Sequence, residues 1–211
     1  MELSLTFILE VIGTVAAAIS GIRLAATKHF DWFGAYIIGL VTAIGGGTLR
    51  DILLNIPIFW MQNGWYLGVT GLSLATVIIF KSLLISRDRI LFIFDSIGLA
   101  MFCVLGINKT LAFGYPMWGA MIMGIITGAF GGVLRDILIN EEPIIFQKDI
   151  YATACLVGAL IYWLIMIAGG TSAASQLSCA ASIIILRFLT LKYNLSLPVL
   201  NEVPDPKKRK S

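Results

Sequence analysis

Charge is what this chain has least of: Asp, Glu, Lys and Arg make up 13% of its 211 residues, against roughly a quarter in an ordinary soluble domain. With 58% hydrophobic residues and a mean hydropathy of +0.92, that scarcity excludes an ordinary soluble fold. No long polar stretch is left to form a separate soluble catalytic domain. Cysteine is also rare, and Cys103, Cys155 and Cys179 all fall in apolar runs, where a thiol behaves as a small buried hydrophobe. No disulfide framework is implied. The one histidine, His29, stands beside Lys28 and Asp31 with no second ligand, and reads as structural or solvated. No nucleotide loop, zinc signature or nucleophile–base pair occurs, and the glycine runs lack the strand context and the lysine of a phosphate cradle. The chain is therefore expected not to be an enzyme, to carry no cofactor and not to pump with ATP. A net charge of +3 without a basic, aromatic-interleaved stripe also excludes nucleic acid as a partner.

What is present is a series of long apolar runs. A bilayer-spanning helix takes about 20 apolar residues, and the runs place spans near 3–22, 31–54, 65–85, 90–107, 115–139, 149–168 and 174–192. The expected fold is an all-α polytopic membrane protein of seven transmembrane helices. The first run carries Glu2 where a signal peptide would be basic, and Glu10 interrupts it, so it reads as the first span. Arg23, Lys28, Lys81, Arg87, Arg89, Lys148 and the tail lysines fall in the odd-numbered connections and the tail, while Lys109 is nearly alone in the even ones. The positive-inside rule then puts the N-terminus outside and the C-terminus in the cytoplasm. Residues 1–195 are expected to form one membrane domain, followed by a basic disordered tail at 196–211 whose Lys207 to Lys210 set topology or meet anionic lipid.

The most informative feature is an internal repeat. An 85-residue offset aligns 8–66 with 93–151 without a gap, and 20 of the 59 positions are identical. The identities include polar pairs that apolar bias does not generate: Thr42/Thr127, Arg50/Arg135, Asp51/Asp136, Asn55/Asn140, Gln62/Gln147 and Tyr66/Tyr151. Each copy, about 3–85 and 90–168, holds three spans, and an odd number of crossings makes the second copy enter from the opposite face. The repeats are expected to be inverted, a plan that brings interrupted helices together at mid-membrane around a transport pathway. The seventh helix, 174–192, lies outside this symmetry.

The polar residues of the spans mark the expected pathway. Gly45-Gly46-Gly47 precedes Thr48-Leu49-Arg50-Asp51 in the second span, and Gly131-Gly132 precedes Val133-Leu134-Arg135-Asp136 in the fifth. Consecutive glycines each weaken a helix by about 1 kcal/mol relative to alanine, so a break or kink is expected at both places. In lipid that is tolerated only where the freed backbone is buried or lines a cavity. Intramembrane ionisable groups are costly and face the protein interior or water. Helical rise groups them into two clusters of two acids and one base, Glu10, Asp51 and Arg50 toward one mouth and Asp95, Asp136 and Arg135 toward the other. Each would carry −1, which favours a cation; alternatively each Arg–Asp pair is a structural ion pair. Thr42 and Thr127 either offer hydroxyls to the pathway or bond back to their own helices. Arg187 is expected to snorkel, and Trp32, Trp60, Trp65 and Trp118 to anchor span ends. Gly124 and Gly128 are expected to let helices pack closely.

The motifs Gly45 to Asn55 and Gly131 to Asn140, in a three-plus-three-plus-one helix plan, resemble the prokaryotic trimeric intracellular cation (TRIC) channels over about 3–195. Bacterial membrane proteins regarded as glycine transporters share the duplicated domain. The resemblance implies a homotrimer in the membrane lipid, with an hourglass pathway in each protomer for potassium and sodium. That pathway would be lined by the first, second, fourth and fifth spans and kinked at Gly45 to Gly47 and at Gly131 and Gly132. Phe130, which replaces the first glycine of the motif, would narrow it. The expected function is a passive monovalent-cation channel in a prokaryotic plasma membrane, with a secondary transporter of glycine or a similar amino acid as the alternative. A purely structural membrane organiser fits the duplicated charges poorly.

Overall fold

A computed structural model describes residues 4–85 and 88–198, and these residues are helical with connecting turns. The helices are α1 (Leu5–Thr27), α2 (Trp32–Leu53), α3 (Phe59–Gln62), α4 (Trp65–Ile79), α5 (Lys81–Ile85), α6 (Asp88–Ala112), α7 (Met117–Leu138), α8 (Ala152–Ile167) and α9 (Ser172–Tyr193), with a 3-10 turn at Ile144–Phe146. Side-chain caps set several starts: Ser4, Asp31 and Thr171 accept from the amides of Phe7, Gly34 and Ala174 at 3.3, 2.7 and 3.2 Å. Asn55 and Asn140, equivalent positions just past α2 and α7, adopt left-handed conformations with φ of 54° and 59°. Their repetition is thus explained by helix termination.

The polarity of the bundle is inside out. Arg23, Arg135 and Arg187 are almost fully buried, while Ile52, Leu72, Ile79, Leu164 and Ile185 face outward. Five helices, α1, α2, α6, α7 and α9, are long and apolar enough to cross a membrane, and α4 and α8 are shorter apolar helices. The chain is an integral, all-helical membrane protein.

Four long helices carry the centre. Gly13 faces Met101 and Phe102, and Gly98 faces Ala17. As α1 ascends α6 descends, so the two run antiparallel. Helices α2 and α7 cross in the same sense through glycine: a Cβ on Gly46 would strike the carbonyl oxygen of Thr127, and one on Gly131 that of Thr42. Gly124 and Gly128 seat α7 against the backbone of α6, as expected.

Several sequence expectations are corrected. Helical structure runs unbroken through Gly45–Gly47 and through Gly131–Gly132. The anticipated break is absent: Gly46 and Gly131 admit the opposing backbone while Gly45, Gly47 and Gly132 face side chains, and the helices continue through them. The run 65–85 divides at Phe80 into α4 and α5. Arg23 explains the second piece: its Nε and Nη2 donate to the carbonyls of Leu84 and Ile85 at 2.7 and 3.2 Å, satisfying the end of α5 from within α1. Arg23 is therefore a buried brace, where a loop charge was expected. Arg187 does not snorkel. It lies over the rings of Phe92 and Tyr151, at 4.5 and 5.0 Å, and donates to Ile150 O at 3.3 Å, because the start of α8 offers it both a ring face and a free carbonyl. Trp32 and Trp118 are exposed at helix ends, and the half-buried Trp60 and Trp65 also make contacts within the protein, Trp60 donating to Thr48 Oγ1 at 3.0 Å and Trp65 stacking on Tyr66 at 3.9 Å. Of the expected tail, residues 199–211 lie outside the described residues; Leu197 N donates to Lys148 O at 2.8 Å.

Candidate functional site

The two Arg-Asp motifs close the ends of α2 and α7 with one shared geometry. Arg50 Nε donates to Asp51 Oδ1 at 2.8 Å, and Arg135 Nε to Asp136 Oδ1 at 2.8 Å. The other carboxylate oxygen receives the first amide of the next element, Phe59 N to Asp51 Oδ2 at 3.0 Å and Ile144 N to Asp136 Oδ2 at 3.2 Å. Each aspartate thus pins the chain reversal that follows its helix and also holds an arginine in place. The structural and electrostatic roles coincide.

Around the second motif the expected cluster assembles. Arg135, fully buried, donates through Nη1 to Asp95 Oδ1 at 2.6 Å and to Ser20 Oγ at 2.7 Å. Two acids surround one base, a formal −1. Asp95 Oδ2 and Arg135 Nη2 are buried without a protein partner. Beside them lies a void of only about 10 Å³, bounded by Thr42, Asp95, Phe102, Gly132 and Tyr151 among others, about the volume one water centre needs.

The first cluster is different. Lys109 Nζ lies 3.0 Å from Asp51 Oδ1 and donates to Oδ2 at 3.1 Å, and the Phe59 ring lies under both Arg50 and Lys109. Glu10 instead accepts from Tyr66 Oη at 2.5 Å. Two acids and two bases make this mouth formally neutral, which corrects the expected −1. A cavity of about 600 Å³ opens here, lined by Glu10, Arg50, Asn108, Lys109, Tyr162 and Gln176 with apolar neighbours. Helices α8 and α9 supply part of this wall, so the lining extends beyond α1, α2, α6 and α7.

Of the remaining expected site residues, Thr42 and Thr127 both bond back to their own helices, to Ile38 O and Met123 O at 2.6 Å each. Gly46 and Gly131 lie in the α2–α7 crossing, Gly47 under the Phe59 ring and Gly132 under Tyr151 Oη. Gly45 packs on Leu134, and with Phe130 it lines an apolar groove that also includes the outward-facing Ile52. Phe130 therefore borders neither polar cavity, because its position on α7 points it to that groove. Sequence reasoning missed Tyr66, Tyr151, Ser20 and Lys109 as site residues. The tyrosines left a signal in the repeat identity, and Lys109 in its isolation among the even connections.

Comparison with known proteins places this geometry. A family model described as "Glycine transporter" matches twice, at residues 7–82 and 92–166. The UPF0126 membrane protein of Vibrio cholerae is 36% identical over 204 residues, covering 94% of this chain and 84% of that protein. The UPF0126 inner membrane protein YadS of Escherichia coli K12 is 35% identical over 200 residues, covering 92% and 95%. Among solved structures, the TRIC trimeric intracellular cation channel orthologue from Rhodobacter sphaeroides superposes with a TM-score of 0.85 at 32% identity, covering 90% of this chain and 98% of that one. A prokaryotic TRIC channel in 0.5 M KCl gives 0.83 at 31%, covering 90% and 96%. A Trimeric Intracellular Cation channel from C. elegans with bound Ca²⁺, at 11% identity and 0.62, shares the fold. The chain belongs to the prokaryotic branch of the TRIC family, built on the duplicated domain that the glycine-transporter model describes.

Proposed function

We propose that the protein is a passive monovalent-cation channel, conducting potassium and sodium through a pathway in each protomer. The observation that carries this reading is a pair of buried Arg-Asp clusters at opposite ends of one four-helix core, with a cavity of about 600 Å³ of mixed polar and apolar lining beside one of them. The cluster at the narrow end has an excess carboxylate, which favours a cation there. Relatives described as cation channels share the fold at above 30% identity. The narrow end, with its void of about 10 Å³, is the barrier in this conformation. Opening it bends α2 and α7 at their glycine motifs, where helix stability is lowest. The site residues in this reading are those of the two clusters together with the glycine crossing.

Residues 1–195 form the channel domain in this proposal. Its seven spans comprise inverted repeats at about 3–85 and 90–168 and a last helix that lines the wide mouth. The antiparallel pairing of α1 with α6 and of α2 with α7 supports the inversion. The N-terminus faces outward and the C-terminus the cytoplasm of a prokaryotic cell. The protein assembles as a homotrimer in lipid, a reading supported by its likeness to the trimeric channel orthologue from Rhodobacter sphaeroides.

One observation favours a second reading, a secondary transporter of glycine or a similar zwitterion. The wide end is formally neutral, and its cavity is lined by charges of both signs, Glu10 together with Arg50 and Lys109. Proteoliposomes separate the readings: the channel predicts potassium efflux that is dissipative and indifferent to glycine. Gradient-dependent uptake of labelled glycine, with no such efflux, selects the transporter.

A further inference from the structure

Equivalent positions 85 residues apart carry the same Arg-Asp motif but pair its neighbouring acid differently. In both copies the arginine holds its neighbouring aspartate at 2.8 Å, and that aspartate caps the next element. The difference lies in the acid supplied by the preceding long helix. In the second copy Asp95 is held by Arg135 at 2.6 Å, and the adjoining void is about 10 Å³. In the first copy Glu10 is held by Tyr66 Oη at 2.5 Å, and the adjoining cavity is about 600 Å³.

The second copy already contains the alternative partner. Tyr151, the equivalent of Tyr66, is 3% exposed. Its Oη, Arg135 Nη2 and Asp95 Oδ1 converge over Gly132, at 3.0, 3.7 and 3.8 Å from where a Cβ would stand. Glycine at that position leaves the three polar groups room to exchange partners. Asp95 Oδ2 and Arg135 Nη2 are both buried without partners, so the closed pairing leaves hydrogen-bonding capacity unused. Arg187 lies over the Tyr151 ring and donates to Ile150 O, which fixes the tyrosine at the head of α8.

We infer that each mouth opens when the carboxylate of its first helix passes from arginine to tyrosine, Asp95 from Arg135 to Tyr151 and Glu10 from Arg50 to Tyr66. Tyr66 and Tyr151 are positioning residues that hold the acid aside while the mouth is open. The inference rests on the reading of these clusters as the two mouths of one pathway.

Thiol modification tests it independently of conduction, because Cys103, Cys155 and Cys179 are buried and give little background. Ala17→Cys reports on the narrow mouth and Leu105→Cys on the wide one, each lining the respective cavity. Variants are made in these reporters, reconstituted in liposomes and exposed to a charged methanethiosulfonate. Asp95→Asn is expected to raise modification of the Ala17→Cys reporter by tenfold or more, and Tyr151→Phe to slow it several-fold. Tyr66→Phe, which returns Glu10 to Arg50, is expected to slow modification of the Leu105→Cys reporter several-fold. Rates unchanged by both tyrosine variants in monodisperse protein overturn the inference even if the protein conducts. Rates that shift as described in protein that passes no cations support the exchange and defeat the channel reading alone.

Discussion

At the residue scale, the Arg-Asp pairs combine scaffold and site. Asp136 satisfies Arg135 and the amide of Ile144 together, so replacing it leaves a buried guanidinium with one fewer counter-charge. Breaking a buried, hydrogen-bonded ion pair costs about 3 kcal/mol or more. Asp136→Asn is accordingly expected to lower the detergent unfolding midpoint sharply; an unchanged midpoint would show that the pair contributes no stability. Lys109 acts differently, since its side chain is partly exposed and balances the wide mouth to neutrality. Lys109→Gln removes one positive charge and is expected to raise cation conductance several-fold, most at low salt where screening is weakest. Equal conductance in both proteins at low ionic strength would remove Lys109 from the pathway.

The Arg-Asp pairs and the Asp95–Arg135–Asp136 cluster were legible in the sequence because charge inside an apolar run is conspicuous and the repeat doubled the signal. Lys109 and Tyr66 were not. Lys109 reaches Asp51 from the other copy, 58 residues away, and the pairing of Glu10 with Tyr66 depends on which of two partners the acid takes. A linear sequence carries neither the cross-repeat contact nor the conformational state.

At the element scale, the glycines bring α2 and α7 into contact without breaking either helix. Their cost to helix stability is real, but the unbroken α2 and α7 use the missing side chains for contact. A Cβ at Gly46 or Gly131 meets a carbonyl of the opposing helix, which cannot rotate away as a side chain can. Gly46→Ala is expected to destabilise the protein by about 2 kcal/mol or more through overpacking, whereas Gly68→Ala, inside α4 with nothing within 4 Å, is expected to stabilise it by up to about 1 kcal/mol. Thermal stability of the two purified variants checks this, and equal melting temperatures would contradict the crossing. The seven apolar runs anticipated the long helices, with ends displaced by up to several residues. The split at Phe80 and the buried roles of Arg23 and Arg187 escaped because an arginine near a span end reads as a surface charge unless its acceptors, here carbonyls of other elements, are known.

At the scale of the whole molecule, the inside-out distribution of polarity ties fold to function. Among the described residues, two internal Arg-Asp clusters and the separately buried Arg23 and Arg187 hold charge inside, and large apolar side chains face outward. The proposed trimer is expected to appear as a single three-chain species by native mass spectrometry from mild detergent. A monomer under conditions that preserve the fold would refute that assembly. Composition and the repeat sufficed for the membrane class and the doubling. The inequality of the cavities beside the two clusters, about 600 Å³ against about 10 Å³, is tertiary and was invisible in the sequence.

The claim on which the account turns is that ions pass between these clusters without a carrier cycle. Purified protein in planar bilayers, under a potassium gradient and with glycine added to one side, tests it most directly. Discrete unitary currents that reverse near the potassium equilibrium potential and are unaffected by glycine are expected. A smooth, saturable flux that appears only with glycine and never resolves into steps would contradict it.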